Sequence, residues 1–232
     1  MCARGAPGGG RSPPWAFRLR VGRMSAPNPW TVVQAADYER HMGPEGLDQR
    51  GALAAIFQET YLAAQPGRLL VLGCGAGNGL EHVDPSVTAR VVGVDVNLQY
   101  LGIARQRFFH LGPRLELYCA EAERFRAAPG AFDLVHVPLL LEYVFAEVLV
   151  RRVAEWLAEG GSCTTIVELP GGDGPEAPSK ALRLIERAKR RVPPAELEQL
   201  FEHYGLPLRR ERTVPLSHGH RFWVGSFGRP LK

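Results

Sequence analysis

At 232 residues, with 45% hydrophobic and 22% charged side chains, the chain suffices for one sizeable α/β core and lacks the composition of a disordered protein. It holds no uncharged apolar run of roughly 18 residues, which excludes a membrane-spanning helix and leads us to expect a soluble, cytoplasmic protein. The net charge of +4 carries no nucleic-acid reading, because Arg4, Arg11, Arg18, Arg20 and Arg23 precede the first acid, Asp37, and leave −1 for the rest.

Residues 1–23 are rich in Gly, Pro and Arg without apolar periodicity, which predicts a disordered tail reaching residue 24. The tail reads either as an organelle transit peptide or as an extension upstream of Met24; its few Ser residues favour the extension. Residues 25–232 are expected to form a single domain, with 25–66 as a helical lid. Within that lid a helix is predicted over 47–63, stopping before Pro66-Gly67. Short apolar runs at 69–72, 91–94, 115–118, 132–137 and 163–167 have the character of parallel strands covered on both faces. Asn97 reads as an N-cap, with Leu98, Leu101 and Phe108 on one helical face up to residue 110. A longer helix is predicted over 140–158, ending at Gly160-Gly161 in a left-handed C-cap. Pro170 to Pro175 reads as an exposed, mobile loop. Helices over 181–191 and 195–203 and an antiparallel pair at 208–214 and 222–227 complete the chain. The fold class implied is α/β, a Rossmann-like, seven-stranded, mostly parallel sheet with helices on both faces. Six of the twelve residues 180–191 are basic, which we read as a solvated face rather than a contact for an anionic substrate.

Cys2, Cys74, Cys119 and Cys163 form no Cys-x-x-Cys pair and have no His at ligand spacing. A structural zinc site is therefore not expected, and buried free thiols in a reducing compartment are.

Chemistry concentrates in Gly73-Cys74-Gly75-Ala76-Gly77-Asn78-Gly79, which is expected to lie between the first strand and a helix whose first amides meet the ligand. A glycine-rich turn there lets a ligand approach the backbone. The dinucleotide spacing G-x-G-x-x-G fails, because counting from Gly73 ends on Asn78 and from Gly75 on Leu80; no Gly-Lys-Ser/Thr follows either. Nicotinamide, flavin and triphosphate ligands drop away. Gly93-Val94-Asp95 ends the second strand, where a carboxylate can accept both hydroxyls of a ribose. The combination points to an adenosyl ligand without a pyrophosphate.

Over residues 30 to 227 the chain resembles the class I S-adenosylmethionine-dependent methyltransferases. The Leu72-Gly73-Cys74-Gly75-Ala76-Gly77 run looks like the family's first motif and Gly93-Val94-Asp95 like its second. Glu121-Ala122-Glu123 is similar to the segment that contacts adenine, Phe132-Asp133-Leu134-Val135 to the fourth strand, and Leu157-Ala158-Glu159-Gly160-Gly161 to the turn before the fifth. The resemblance implies S-adenosyl-L-methionine as cofactor, held by Gly73, Cys74, Gly75, Gly77, Asn78, Asp95, Val96, Asn97, Glu121, Ala122, Glu123 and Pro138. Two departures stand out. Val71 occupies the position where many members carry an acid near the cofactor's ammonium, so Asp37, Glu39 or Glu81 would supply that charge. Pro138-Leu139-Leu140-Leu141-Glu142-Tyr143 is not the Asn/Asp-Pro-Pro-aromatic signature of nucleobase amino methylases.

A sulfonium is already an excellent leaving group, so the protein chiefly has to align acceptor, methyl and sulfur and exclude water. A base is needed only for a hydroxyl or a protonated amine, and Glu142, His136 and Tyr143 are the candidates. Glu142 is favoured, since His136 inside an apolar strand reads more simply as core. Tyr38 and His41 are expected in a lid, and Asp133, at the far end of its strand, is expected to be structural. A small-molecule acceptor is expected, with protein or RNA as the alternative target and a catalytically silent adenosyl-ligand-binding protein as the alternative class.

Overall fold

In the computed structural model, residues 28–172, 176, 177 and 179–231 are described. The expectations for the first 24 residues, for Cys2 and for residues 173–175 of the loop after Pro170 lie outside them. Seven strands form one sheet: β1 (Arg68–Leu72), β2 (Arg90–Asp95), β3 (Leu115–Cys119), β4 (Phe132–Pro138), β5 (Leu157–Leu169), β6 (Leu208–Pro215) and β7 (Arg221–Gly228). Their order is β3-β2-β1-β4-β5-β7-β6; pairing is parallel up to β5 and antiparallel for β5–β7 and β7–β6. The Rossmann-like, mostly parallel sheet with a closing antiparallel pair is thus the fold.

The helices are α1 (Ala35–Met42), α2 (Arg50–Ala64), α3 (Leu98–Arg107), α4 (Ala146–Trp156), α5 (Lys180–Ala188) and α6 (Pro194–His203). Leu69, Leu70, Val71 and Leu72 are all buried because β1 is covered on both faces, which is why the run is apolar throughout rather than alternating. Leu70 and Leu72 pack with Val153 and Trp156 of α4 and Phe201 of α6 on one side. Leu69 and Val71 pack with Phe57 and Tyr61 of α2 and Leu101 of α3 on the other. β6 forms one edge of the sheet and protects it with Arg209, Arg210 and Glu211.

Five sequence readings need correction. The glycine turn leads into a short 3-10 helix, Leu80–His82, and not into an α-helix. The helix expected over 140–158 starts only at Ala146, since Leu139 takes a left-handed backbone (φ 51°) and residues 140–144 turn. It ends at Trp156, and Gly160 (φ 71°) lies inside β5, where its register with β4 shifts. Leu98 opens α3 and is 72% exposed, so the buried face is Tyr100, Leu101 and Ala104. Cys119 is exposed, whereas Cys74 and Cys163 are buried as expected.

Asn97 does cap α3, accepting from the amides of Gln99 and Tyr100. Asp133 stands at the start of β4, where Oδ2 accepts the Arg68 amide at 2.8 Å and Oδ1 the Arg68 guanidinium at 2.6 Å. It ties β1 to β4 at the end of the sheet away from the glycine turn. Asp133→Ala is expected to lower unfolding free energy by about 1–2 kcal/mol in urea titration, because the loss includes a backbone amide's partner. A loss below about 0.5 kcal/mol would reduce the pair to an ordinary surface salt bridge.

Candidate functional site

The strand order reverses between β1 and β4, and the loops leaving their carboxyl ends diverge there, the usual place for a crevice in an open α/β sheet. The Gly73 and Cys74 amides both donate to the Val94 carbonyl, at 2.8 and 3.1 Å, which folds the glycine turn over the end of β2. Asp95 completes the join: Oδ2 accepts the Gly75 amide at 2.9 Å and Oδ1 the Asn97 amide at 2.8 Å. Burial raises its pKa, and these amides together with that of Val96 act in the opposite direction. A carboxylate accepts about four hydrogen bonds, so the group keeps capacity for a ligand hydroxyl. Asn97 Nδ2 donates to the carbonyls of Trp30 and Val33 at 2.8 and 2.9 Å, and so fastens the segment before β1 across the mouth of the crevice.

The crevice has a volume of about 550 Å³, within the range of small-molecule sites. Gly73, Gly75, Asp95, Val96, Glu121, Ala122, Glu123 and Pro138 line one end, with Glu142 and Tyr143 toward the other. Glu121 pairs with Arg124 at 2.8 Å, and Glu123 accepts the Phe145 amide at 2.8 Å. Gly75 is shaped for close approach: its φ is 52°, and an added Cβ would meet nothing within 4 Å, the space belonging to the cavity. Gly79 differs, since a Cβ there would lie 2.6 Å from the Phe57 ring, making it a packing glycine.

Cys74, Gly77, Asn78, Asn97 and His136 do not line the cavity. Gly77 lies under the Phe108 ring, Cys74 joins the apolar cluster around Val71, and the Asn78 amide reaches the Arg50 carbonyl at 3.3 Å. His136 packs edge-on against Phe57, 5.1 Å between rings, and burial depresses its pKa to about 4. Asp37, Glu39 and Glu81 also lie off the cavity; Glu39 pairs with Arg107 at 2.6 Å and Glu81 accepts the Gly79 amide at 2.8 Å.

The end beyond Glu142 is polar. Glu142 is 2% exposed; Oε1 accepts the Glu168 amide at 3.0 Å and lies 3.5 Å from Lys189 Nζ, while Oε2 has no partner among the described residues. Burial pushes its pKa up to about 7, with Lys189 opposing. Glu168, ending β5, contacts Lys189 through Oε2 and His220 Nδ1 through Oε1. Burial works against its charge, but those two partners hold its pKa below the usual value. His41 Nε2 reaches Glu186 at 3.2 Å, and the apolar wall comes from Trp30, Tyr38 and Tyr143, in edge-to-face contact at 5.7 and 5.2 Å. Glu168, Lys189 and His220 escaped the sequence reading. The signal at Glu168 was the one that exposed Asp95, an acid ending an apolar strand.

A protein-family profile described as a methyltransferase domain matches residues 69–161. Over that stretch, less than half of its length, the chain is similar to methyltransferase domains. A curated relative, the ubiquinone biosynthesis O-methyltransferase of Aromatoleum aromaticum, is 37% identical over 78 residues, 33% of each chain. Matches to curated relatives span a third of their length or less. Among solved structures, the N-methyltransferase NodS of Bradyrhizobium japonicum, in complex with S-adenosyl-L-homocysteine, superposes with a TM-score of 0.63 at 16% identity, covering 82% of this chain and 91% of that one. The [4+2]-cyclase SpnF gives 0.63 at 16% identity, covering 78% and 81%, so the shared fold alone does not fix a reaction.

Since the folded chain binds the Glu142 proton more tightly than the unfolded chain, the stability this group contributes falls as pH rises from about 4.5 through about 7. Glu142→Gln is expected to be more stable than the parent by about 1–3 kcal/mol at about pH 8 and equal to it at about pH 5, read by urea unfolding at both values. A difference independent of pH would mean that the carboxyl ionises normally.

Proposed function

We propose that the chain is an S-adenosyl-L-methionine-dependent methyltransferase acting on a small-molecule acceptor. The observation that carries this is the continuity of one cavity, from the Gly73–Gly75 backbone and Asp95 at one end to the buried polar groups at the other. Asp95 would take the ribose hydroxyls, Gly73 and Gly75 would let the cofactor pass close to the backbone, and Val96 and Ala122 would flank the adenine. When bound, the cofactor supplies a methyl on a sulfonium, and the chain's own work is to hold the acceptor in line and keep water away. The segment carrying Trp30, Tyr38 and Met42 serves as the lid. An acceptor enclosed on several sides favours a metabolite over a protein or RNA surface. Among the described residues no helix is long and apolar enough to cross a membrane, and the unpaired cysteines are in keeping with a reducing, cytoplasmic setting.

Calorimetric titration is expected to show binding of S-adenosyl-L-homocysteine and none of NAD. Asp95→Ala should weaken it by about 1–3 kcal/mol, the cost of losing hydrogen bonds to a charged group. Gly75→Ala should remain folded but lose binding, since its Cβ would occupy ligand space, whereas Gly79→Ala should lose about 1–3 kcal/mol of stability through its strained backbone and the clash with Phe57. Tight NAD binding, or an Asp95→Ala variant with unchanged affinity, would sink the assignment. Label from the cofactor's methyl group appearing in no metabolite, RNA or protein fraction of a cell extract would favour a silent binder of the same ligand.

A further inference from the structure

We propose that the methyl acceptor is an amine that enters as its ammonium, is held by Glu142, and gives up its proton to His220, a base oriented by Glu168. The proposal rests on the methyltransferase reading above and adds the acceptor's chemistry. Its ground is the set of polar atoms left without partners in the far wall of the cavity. Glu142 Oε2 and His220 Nε2 are both buried and unpartnered among the described residues, and both residues line the cavity. His220 directs Nδ1 to the Glu168 carboxylate, so that nitrogen carries the hydrogen and the neutral ring keeps a lone pair on Nε2. His41 repeats the pattern, with Nε2 on Glu186 and Nδ1 unpartnered.

Of the five unpartnered polar atoms on cavity-lining residues these three can accept, the Tyr100 hydroxyl can do either and Gln49 Nε2 donates, so acceptors predominate and suit a ligand with several N–H donors. The charge agrees. Among the described residues at this end, Glu142, Glu168 and Glu186 are set against Lys189, and Lys189 lies between two of those carboxylates. An anionic acceptor group would meet net repulsion and a cationic one net attraction. Trp30, Tyr38 and Tyr143 offer an aromatic wall suited to an ammonium or an aromatic body. Gly172 closes the outer side of the imidazole, since a Cβ there would lie 2.7 Å from the His220 ring. In the reaction the ammonium proton passes to His220 Nε2, the freed nitrogen lone pair forms the N–C bond, and the C–S bond breaks with its electron pair remaining on sulfur. The resulting imidazolium is stabilised by Glu168.

The test uses the full chain saturated with S-adenosyl-L-homocysteine and three probes of one shape: benzylamine, benzyl alcohol and benzoate. Calorimetry at about pH 8 is expected to show benzylamine binding roughly tenfold or more tighter than the other two, a difference set by a hydrogen bond to a charged group. Glu142→Gln should weaken benzylamine roughly tenfold while S-adenosyl-L-homocysteine stays within about twofold. Lys189→Met should tighten benzylamine by removing the competing cation. His220→Gln should cut transfer of labelled methyl to benzylamine more than it cuts benzylamine binding. A preference for benzoate or benzyl alcohol, or amine binding indifferent to Glu142→Gln and to Lys189→Met, would overturn the proposal and leave the methyltransferase reading standing. Failure of S-adenosyl-L-homocysteine to bind would take down both.

Discussion

The hydrogen bond from the Gly75 amide to Asp95 is the constraint on which the site is built. A carboxylate at the end of a buried strand has lost much of its water, and it stays charged only where donors replace it. Asp95 finds them in the backbone, one amide from the turn after β1 and one from the start of α3. Those two loops are thereby held in register at the point where the strand order reverses. Asn97, fixed in the same move, spends its side chain on capping α3 and on two carbonyls of the segment that roofs the cavity. Sheet edge, turn and roof thus meet through a few polar atoms, and the apolar layers on both faces keep that arrangement stiff.

At the opposite end charge is managed differently. Glu142, Glu168, Lys189 and His220 are assembled from a turn, a strand end, the residue after a helix and the residue before a strand. Buried ions of this kind do not in themselves make a protein more stable, because desolvation offsets much of their attraction. Keeping two acids, an ammonium and an imidazole in one wall has a chemical rationale where a ligand must be bound and a proton moved. The raised pKa of Glu142 and the lowered one of Glu168 show two carboxyls of the same type driven apart by their surroundings, the pattern that often separates acid and base roles.

Much of this was legible in the chain itself. The β1 run, the glycine turn and Asp95 are local in sequence, and each carries a physical signature: an unbroken apolar stretch, residues tolerant of positive φ, and an acid where an apolar strand ends. The break at Leu139 was not legible, since Leu140, Leu141 and Val144 continue a helical pattern while tertiary contacts turn the chain instead. Nor was the polar wall, because Glu168 and His220 are 52 residues apart and meet only through β5–β7 pairing. The basic run over 180–191 looked like a solvated face, yet Lys189 within it turns inward to two carboxylates.

The two ends of the cavity also come largely from different stretches of chain. The glycine turn, Asp95 and Glu121–Glu123 fall within residues 69–161, the portion that matches the family profile, as do Glu142 and Tyr143 of the far end, whereas Trp30, Tyr38, His41, Glu168, Lys189 and His220 fall outside it. One wall of the cavity thus comes from a contiguous stretch, and most of the other from flanking sequence that packs onto it. Such a division lets the flanks drift without disturbing the end of the cavity built on the glycine turn and Asp95. Similarity over residues 69–161 accordingly says little about what the flanking residues would recognise.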